Sequence, residues 1–221
     1  MEEMKIQMSE SFGLASILAM VGGFLDSYTY ICRDHVFANA QTGNIVQVGI
    51  CLAKGNITGM LRFAIPIIAF MLGTLLVLYL KDHNHTPLHW RQLILLVEIA
   101  ILIIVAFLPI DHYANILANV LVSFSCAMQA ETFGKVLGKP FSSIMCTGNL
   151  KSGTEHLYHL VKYHDHARLE KAKHYFLIIF YFIMGATLGA WFSYSWVAMA
   201  LLLPAVGLLL AILLMRQQTI N

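Results

Sequence analysis

Two stretches set the pattern of this chain: Gly22-Gly23-Phe24-Leu25-Asp26-Ser27-Tyr28, and then Gln41-Thr42-Gly43-Asn44-Ile45. The first places a carboxylate inside an apolar run, and the second places a Thr-Gly-Asn at the start of a shorter apolar run. Both return at one common offset of 105 residues, as Glu131-Thr132-Phe133 and Thr147-Gly148-Asn149-Leu150. We interpret this as an internal duplication, with a first repeat at residues 1–110 and a second at residues 111–221.

The composition indicates a membrane protein. Hydrophobic residues make up 58% of the chain and charged residues only 12%, and the mean hydropathy is +0.70. A soluble domain carries about a quarter charged residues. Apolar runs of about 20 residues recur, which is the length that crosses ~30 Å of hydrocarbon. We therefore predict an all-α polytopic membrane protein in contact with lipid. The net charge of +2 gives no reason to expect a nucleic-acid partner.

Six apolar runs have the length of a span, at residues 11–32, 61–80, 90–108, 114–136, 175–192 and 195–215. The two segments that begin with Thr-Gly-Asn are too short or too polar to span, so we predict that both are re-entrant half-helices. Only three of the 14 Lys and Arg residues then fall outside, namely Arg33, Lys54 and Arg62. This distribution places both termini in the cytoplasm.

Each repeat would then hold three spans and one half-helix, and an odd number of spans inverts the second repeat relative to the first. Inverted repeats with broken helices are typical of secondary transporters, whose substrate site lies near the membrane midplane. The two half-helix N-termini would meet there, and their free N–H groups favour an anionic or polar ligand. The predicted substrate-binding residues are Thr42, Gly43, Asn44, Thr147, Gly148 and Asn149.

Asp26 and Glu131 are the predicted coupling residues. An ionised carboxylate at this depth costs ~2.5–3.5 kcal/mol on insertion scales. Each acid must therefore be protonated, paired with a cation or hydrogen-bonded to a half-helix N-terminus. Proton coupling requires a group whose protonation state changes with its partner in this way. The alternative is that both acids only cap the turns that precede the half-helices.

Four further residues are weaker candidates for the site. Glu98 lies in the middle of an apolar run and must face the protein interior. Lys151 directly follows the second motif, where it either neutralises Glu131 or attracts an anion. Ser27 and Tyr28 stand beside Asp26 in the first motif.

Nothing in the sequence predicts an enzyme, a cofactor or a metal site. There is no nucleophile–base pair and no phosphate-binding glycine motif. The histidines gather in polar segments, for example His83, His85 and His89, and we interpret them as solvated loop residues. Whether these histidine-bearing loops bind a metal stays open.

The first motif, extended through Thr29-Tyr30 and Phe37-Ala38-Asn39-Ala40, resembles the YoaK family of bacterial inner-membrane proteins. The second motif, around Met145-Cys146-Thr147-Gly148-Asn149-Leu150, is similar to the same family. The resemblance implies a bacterial plasma-membrane protein of about six spans. It implies no particular activity or substrate.

The function predicted from these observations is a small secondary transporter of a polar or anionic metabolite, coupled to protons through the two acids. One alternative is an ion channel built on the same half-helices. Another is a scaffold or sensor that transports nothing. The substrate, the coupling ion and the formation of a homo-oligomer stay open.

Overall fold

The computed structural model describes residues 11–83, 87–136, 139–140 and 146–216. These residues form eight α-helices: α1 Phe12–Cys32, α2 Gln41–Ala53, α3 Ile57–His83, α4 Pro87–Ala106, α5 His112–Thr132, α6 Cys146–Tyr163, α7 Ala167–Trp196 and α8 Leu202–Arg216. Two short strands, Lys135–Val136 and Lys139–Pro140, pair antiparallel after α5. A 3₁₀ turn, Val197–Leu201, separates α7 from α8. The predicted all-α class is confirmed.

Three described helical stretches are long and apolar enough to cross a membrane: Phe12–Cys32, Ile57–His83 and Ala167–Met215. The third contains both α7 and α8. Helix α5 is less apolar because it carries buried polar side chains such as Asn119, Ser123 and Gln129. The two termini that we predict to be cytoplasmic, residues 1–10 and 217–221, lie outside the described residues, as do His85 and Met145.

Helix α7 differs most from the sequence-based boundaries. It begins at Ala167, before the start of the predicted span at residues 175–192, and it continues to Trp196, into the predicted last span at residues 195–215. Leu, Glu, Lys and Ala in its first turns are good helix formers, so the helix extends beyond its apolar part. It ends at Val197, whose φ of 51° is unusual for a β-branched residue and turns the chain towards α8.

Helix α1 is packed against α7 through glycines. A side chain at Gly23 would collide with the carbonyl oxygen of Phe182, and one at Gly185 would collide with that of Met20. Gly189 likewise lies against the backbone of Phe24. Small residues at four-residue spacing allow helix backbones to approach this closely in a membrane. Gly185 and Gly189 therefore form the face of α7 that packs on α1.

The remaining helices follow a regular contact scheme. Helix α3 packs on α5, with Gly73 against the carbonyl oxygen of Phe124. The short helices α2 and α6 pack on α3 and α7, respectively. Helix α4 lies between α5 and α8, and α8 also contacts α1. The core is therefore shared by helices from both halves of the chain.

Arg33, which follows the last residue of α1, is fully buried (0% exposed). Its guanidinium donates to the carbonyl oxygens of Val105 (3.1 Å), Leu108 (3.1 Å) and Pro109 (2.6 Å) and to the side-chain oxygens of Tyr28 (3.0 Å) and Asn115 (3.1 Å). The backbone acceptors lie at the C-terminal end of α4, where unpaired carbonyls favour a cation. Arg33 therefore joins the end of α1 to α4 and α5.

We expect Gly185→Ala to lower the free energy of unfolding by ~1–3 kcal/mol, because its Cβ would force α7 away from the Met20 backbone. Thermal unfolding of the purified protein in detergent measures the change. Gly13→Ala on α1 is the matched control, since an added Cβ there meets nothing within 4 Å. Equal stability of the two variants would contradict the close packing of α1 on α7.

Candidate functional site

A cavity of about 690 Å³ lies where α2 and α6 begin. Gln41 and Thr42 from the first turn of α2 line one part of its wall, and Cys146, Thr147 and Gly148 from the first turn of α6 line another. The two Thr-Gly-Asn motifs, 105 residues apart in the chain, therefore open onto the same space. Its volume is within the range of small-molecule sites.

Asp26, on α1, lines the same cavity and is only 6% exposed. Its Oδ1 accepts a hydrogen bond from the backbone N–H of Asn39 at 2.7 Å. The backbone amides of Ala38 and Ala40 also lie within hydrogen-bonding reach of the carboxylate. Charge-assisted bonds of this kind are about twice as strong as neutral ones. The carboxylate therefore fixes the segment that leads into α2.

The side chain of Asn39 provides a second attachment of this segment to α1. Its Nδ2 donates to the carbonyl oxygen of Gly22 at 3.0 Å. Because the backbone of the same residue bonds to Asp26, the chain just before α2 is held to α1 at two points. This holds the first residues of α2 beside Asp26, in the wall of the cavity.

Asn44 does not face the cavity, although it was predicted to bind substrate. It is fully buried, and its Oδ1 accepts from the Phe37 N–H at 3.1 Å. Its Nδ2 donates to the Phe37 carbonyl at 2.7 Å and to Gln41 Oε1 at 2.9 Å. The asparagine therefore closes the turn before α2, which is a structural role.

The other predicted substrate-binding residues divide in the same way. Thr42, Thr147 and Gly148 line the cavity. Gly43 packs against the Phe37 ring, which an added Cβ would approach to 3.0 Å. Asn149 is buried (3% exposed) and is not among the described residues of the wall.

Glu131 lies away from the described wall. It is in the last turn of α5 and forms an ion pair with Lys81 of α3, with Nζ and Oε1 2.5 Å apart. Lys81 also donates to the Glu131 carbonyl oxygen at 2.7 Å. Helix α1 continues to Cys32 beyond Asp26, whereas α5 ends at Thr132. The equal spacing in sequence therefore does not give the two acids equal positions in their helices.

The expected pairing of Lys151 with Glu131 is wrong. Lys151 lies on the exposed face of α6, where its Nζ is 3.8 Å from Glu155 Oε1. A pair so open to solvent contributes little to stability. Glu131 takes Lys81 as its cation instead.

Of the weaker candidates, only Ser27 lines the cavity, and its hydroxyl donates to the Phe24 carbonyl at 2.9 Å. The Tyr28 hydroxyl instead accepts from Arg33. Glu98 is fully buried on α4. With its amide nitrogen facing Glu98, Gln129 donates to both carboxylate oxygens, at 3.0 and 3.2 Å.

Sequence reasoning missed the aromatic part of the wall. Tyr30, Phe37, Phe70 and Phe182 line the cavity, and the Tyr30 and Phe37 rings stack with their centroids 4.9 Å apart. Tyr30 and Phe37 lie close to the first motif and could have been suspected for that reason. Phe70 and Phe182 come from α3 and α7, and nothing near them in sequence marks them out.

The family described as "Protein of unknown function (DUF1275)" matches residues 14–215. The chain belongs to this family. It is also 27% identical over 149 residues to the UPF0700 transmembrane protein YoaK of Bacillus subtilis (strain 168). That similarity covers 63% of this chain and 64% of the relative. No solved structure matches the chain.

The comparisons confirm the predicted membership of the YoaK family and a membrane location. The DUF1275 match runs from the start of α1 to the end of α8, so it includes every residue of the cavity wall. The family description assigns no activity. Among the described residues, no group of three His, Cys, Asp or Glu side chains is placed to hold a metal ion.

We expect Asn44→Ala to destabilise this DUF1275 protein by ~1–3 kcal/mol, because the Phe37 N–H and C=O would lose their buried partner. The loss of melting temperature in detergent measures this. Gln47→Ala, at an exposed position one turn further along α2, is the control and should unfold like the unmodified protein. Should Asn44→Ala melt normally but lose a ligand, the structural role given to Asn44 would be wrong.

Proposed function

We propose that this protein is a small secondary transporter of a small polar metabolite, coupled to protons through Asp26. The observation that carries the proposal is the cavity that joins Asp26 to the first turns of both α2 and α6. A buried carboxylate beside a ligand-sized cavity in a membrane protein marks a functional site more often than a structural one.

The lengths of the short helices support a re-entrant arrangement. Helix α2 has 13 residues, which corresponds to about 20 Å and is less than the ~30 Å of the hydrocarbon core. Helix α6 is longer, but it exposes the charged residues Lys151 and Glu155 and does not suit lipid. The spans of the proposal are then α1, α3, α4, α5, α7 and α8.

The helix contacts support two inverted repeats. Exchanging α1 with α5, α2 with α6, α3 with α7 and α4 with α8 leaves the contact scheme unchanged. The α1–α7 contact becomes α5–α3, the α6–α7 contact becomes α2–α3, and the α4–α5 contact becomes α8–α1. This is the scheme that two repeats related by a two-fold axis would have. Such repeats place a shared site near the midplane.

The orientation and the membrane are part of the same proposal. The distribution of Lys and Arg favours cytoplasmic termini. The family resemblance favours the bacterial inner membrane. The cavity at the N-termini of α2 and α6 would then open alternately to the two sides of the membrane as the repeats move.

Asp26 would act through a change of partner. When the cavity holds no cation, a carboxylate buried at this depth is most stable in its protonated form. When a ligand cation takes the place of the proton, the proton leaves to water and the positive charge of the ligand balances the carboxylate. The Asn39 N–H stays on Oδ1 in both states and keeps the carboxyl group in the wall. Glu131 was predicted to share this role. It is paired with Lys81 instead and is not among the described residues of the cavity wall.

One observation favours a second candidate, a membrane scaffold that transports nothing. The backbone N–H of Asn39 already bonds to Asp26, as expected if the carboxylate only caps the turn. In that case the cavity would be a packing defect filled by lipid. The transport experiment below separates the two candidates.

We expect Asp26→Asn to abolish pH-gradient-driven uptake of metabolites into proteoliposomes, because an amide cannot exchange a proton. A labelled metabolite library, assayed with and without the gradient, measures this. Glu155→Gln, on the exposed face of α6, is the control and should transport normally. Glu131→Gln, assayed in parallel, shows whether the second acid has any part in coupling.

A correctly folded Asp26→Asn protein, judged by its gel-filtration profile, is required for this interpretation. Uptake that Asp26→Asn leaves unchanged would remove Asp26 from coupling. Absence of any uptake by the unmodified protein across the library would favour the scaffold. Single-channel currents in planar bilayers would favour a channel.

A further inference from the structure

The charge and the aromatic content of the cavity wall point to a particular class of ligand. Asp26 is the one charged side chain in the wall among the residues described, and no Lys, Arg or His from that part of the chain joins it. Four aromatic rings, those of Tyr30, Phe37, Phe70 and Phe182, share the wall. The described wall thus combines one negative charge with four aromatic rings.

We propose that this cavity binds a monovalent organic cation, a substituted ammonium or guanidinium group on a small apolar body. The inference rests on the proposed function and names its substrate class. The Asp26 carboxylate supplies the counter-charge, and the aromatic faces attract a weakly hydrated cation, more strongly where water is excluded. A cavity of about 690 Å³ accommodates the cationic group together with its apolar body.

An anion fits this wall less well than the sequence predicted. The amides before α2 that would attract an anion already face the Asp26 carboxylate. A second negative charge beside that carboxylate would be repelled. The first turn of α6 is the remaining place for an anion, and a test with an anionic probe decides on it.

A metal ion also fits poorly. Hard cations such as Ca²⁺ take six to eight oxygen ligands, and Mg²⁺ requires a near-octahedral set. The described wall offers one carboxylate, the hydroxyls of Ser27, Tyr30, Thr42 and Thr147 and the side-chain amides of Asn39 and Gln41, whereas aromatic and aliphatic carbon covers most of the rest. A cation that carries its own apolar surface suits such a wall better.

Competition at one carboxyl group would couple the cation to the proton. In the exchange, the Asp26 O–H bond breaks, the proton leaves to water, and the organic cation takes its place as the counter-charge of the carboxylate. One positive charge enters as one leaves, so the buried site stays neutral throughout. The transport that results is an electroneutral exchange of one cation for one proton.

In the described part of the chain, three other groups that can titrate lie near Asp26. Tyr30 on α1 and Cys146 on α6 share the cavity wall, and Cys126 on α5 lies near the carboxylate. Helices α2, α3 and α7 contribute Gln41 and Thr42, Phe70, and Phe182 and Ala186, none of which titrates. The proton that competes with the cation therefore belongs to Asp26.

The test measures binding of benzyltrimethylammonium to the purified full chain in detergent by titration calorimetry at several pH values. Phenylacetate and benzyl alcohol are the anionic and neutral probes of similar size. We expect the cation alone to bind, with an affinity that falls as the pH is lowered because protons occupy Asp26. Tighter binding of phenylacetate, equal binding of benzyl alcohol, or no binding of the cation at millimolar concentration would overturn the inference.

Two variants test the named residues. Asp26→Asn should weaken binding of the cation at least about tenfold and make the remaining affinity independent of pH. Phe182→Leu should weaken it about tenfold while leaving the pH dependence in place, which keeps the test decisive if Asp26→Asn does not fold. Phe180→Leu, two residues away and 53% exposed on the outer face of α7, should bind normally. Full affinity in Phe182→Leu would overturn the aromatic part of the inference.

Repeating the titration in phosphatidylglycerol vesicles, with and without phosphatidylethanolamine, distinguishes a soluble amine from a lipid headgroup. Displacement by the ethanolamine lipid assigns the cation to the headgroup, and no displacement assigns it to a soluble amine. Because binding is measured without a gradient, binding that is not followed by uptake would remove the transport proposal alone. Gradient-driven uptake of an anion would retain transport and overturn the cationic site.

Discussion

The hydrogen bond from the Asn39 N–H to Asp26 is the interaction on which the site depends. A chain that turns back inside a membrane has no water to satisfy its backbone groups, and each unpaired group costs several kcal/mol. The carboxylate on α1 accepts from this turn, while Asn39 Nδ2 and the amide of Asn44 satisfy carbonyl oxygens at Gly22 and Phe37. Helix α2 can therefore begin beside Asp26 of α1, with the polar backbone groups of the preceding turn bonded to protein.

Helix α1 is held in place by two further kinds of contact, one along its length and one at its end. Along its length, glycines on α1 and α7 bring the two backbones into contact, which keeps Ser27 and Asp26 facing the cavity next to Phe182 and Ala186. At its end, the buried guanidinium of Arg33 donates hydrogen bonds to carbonyl oxygens at the end of α4. A buried cation is tolerated there because each of its nitrogens finds an acceptor. The carboxylate is thus carried by a helix that packs closely on α7 and is bonded to α4 at its end.

The two halves of the chain agree in architecture and differ in chemistry. Both short helices open onto one cavity, and among the described residues the acid in its wall is Asp26 of the first half. In the second half the acid lies at the helix end and pairs with Lys81, where about a third of each side chain is exposed. The described wall of the cavity therefore contains one carboxylate and four aromatic rings. A site with a single acid favours exchange of one cation for another over capture of an anion.

The sequence by itself determined the membrane class, the helical fold, the YoaK-family membership and the place of the two motifs at the starts of α2 and α6. The membrane class and the helical fold follow from composition and apolar length, and the place of the two motifs follows from the short apolar runs that they begin. The family membership rests on the resemblance of the two motifs to the YoaK family. Tertiary structure alone decided that Asp26 lines the cavity while Glu131 does not, that Asn44 faces its own turn, and that Phe70 and Phe182 join the wall. It also decided that Arg33 is buried. Each of these depends on how far a helix continues past a residue and on which distant helix packs against it, and spacing within the chain carries no record of either.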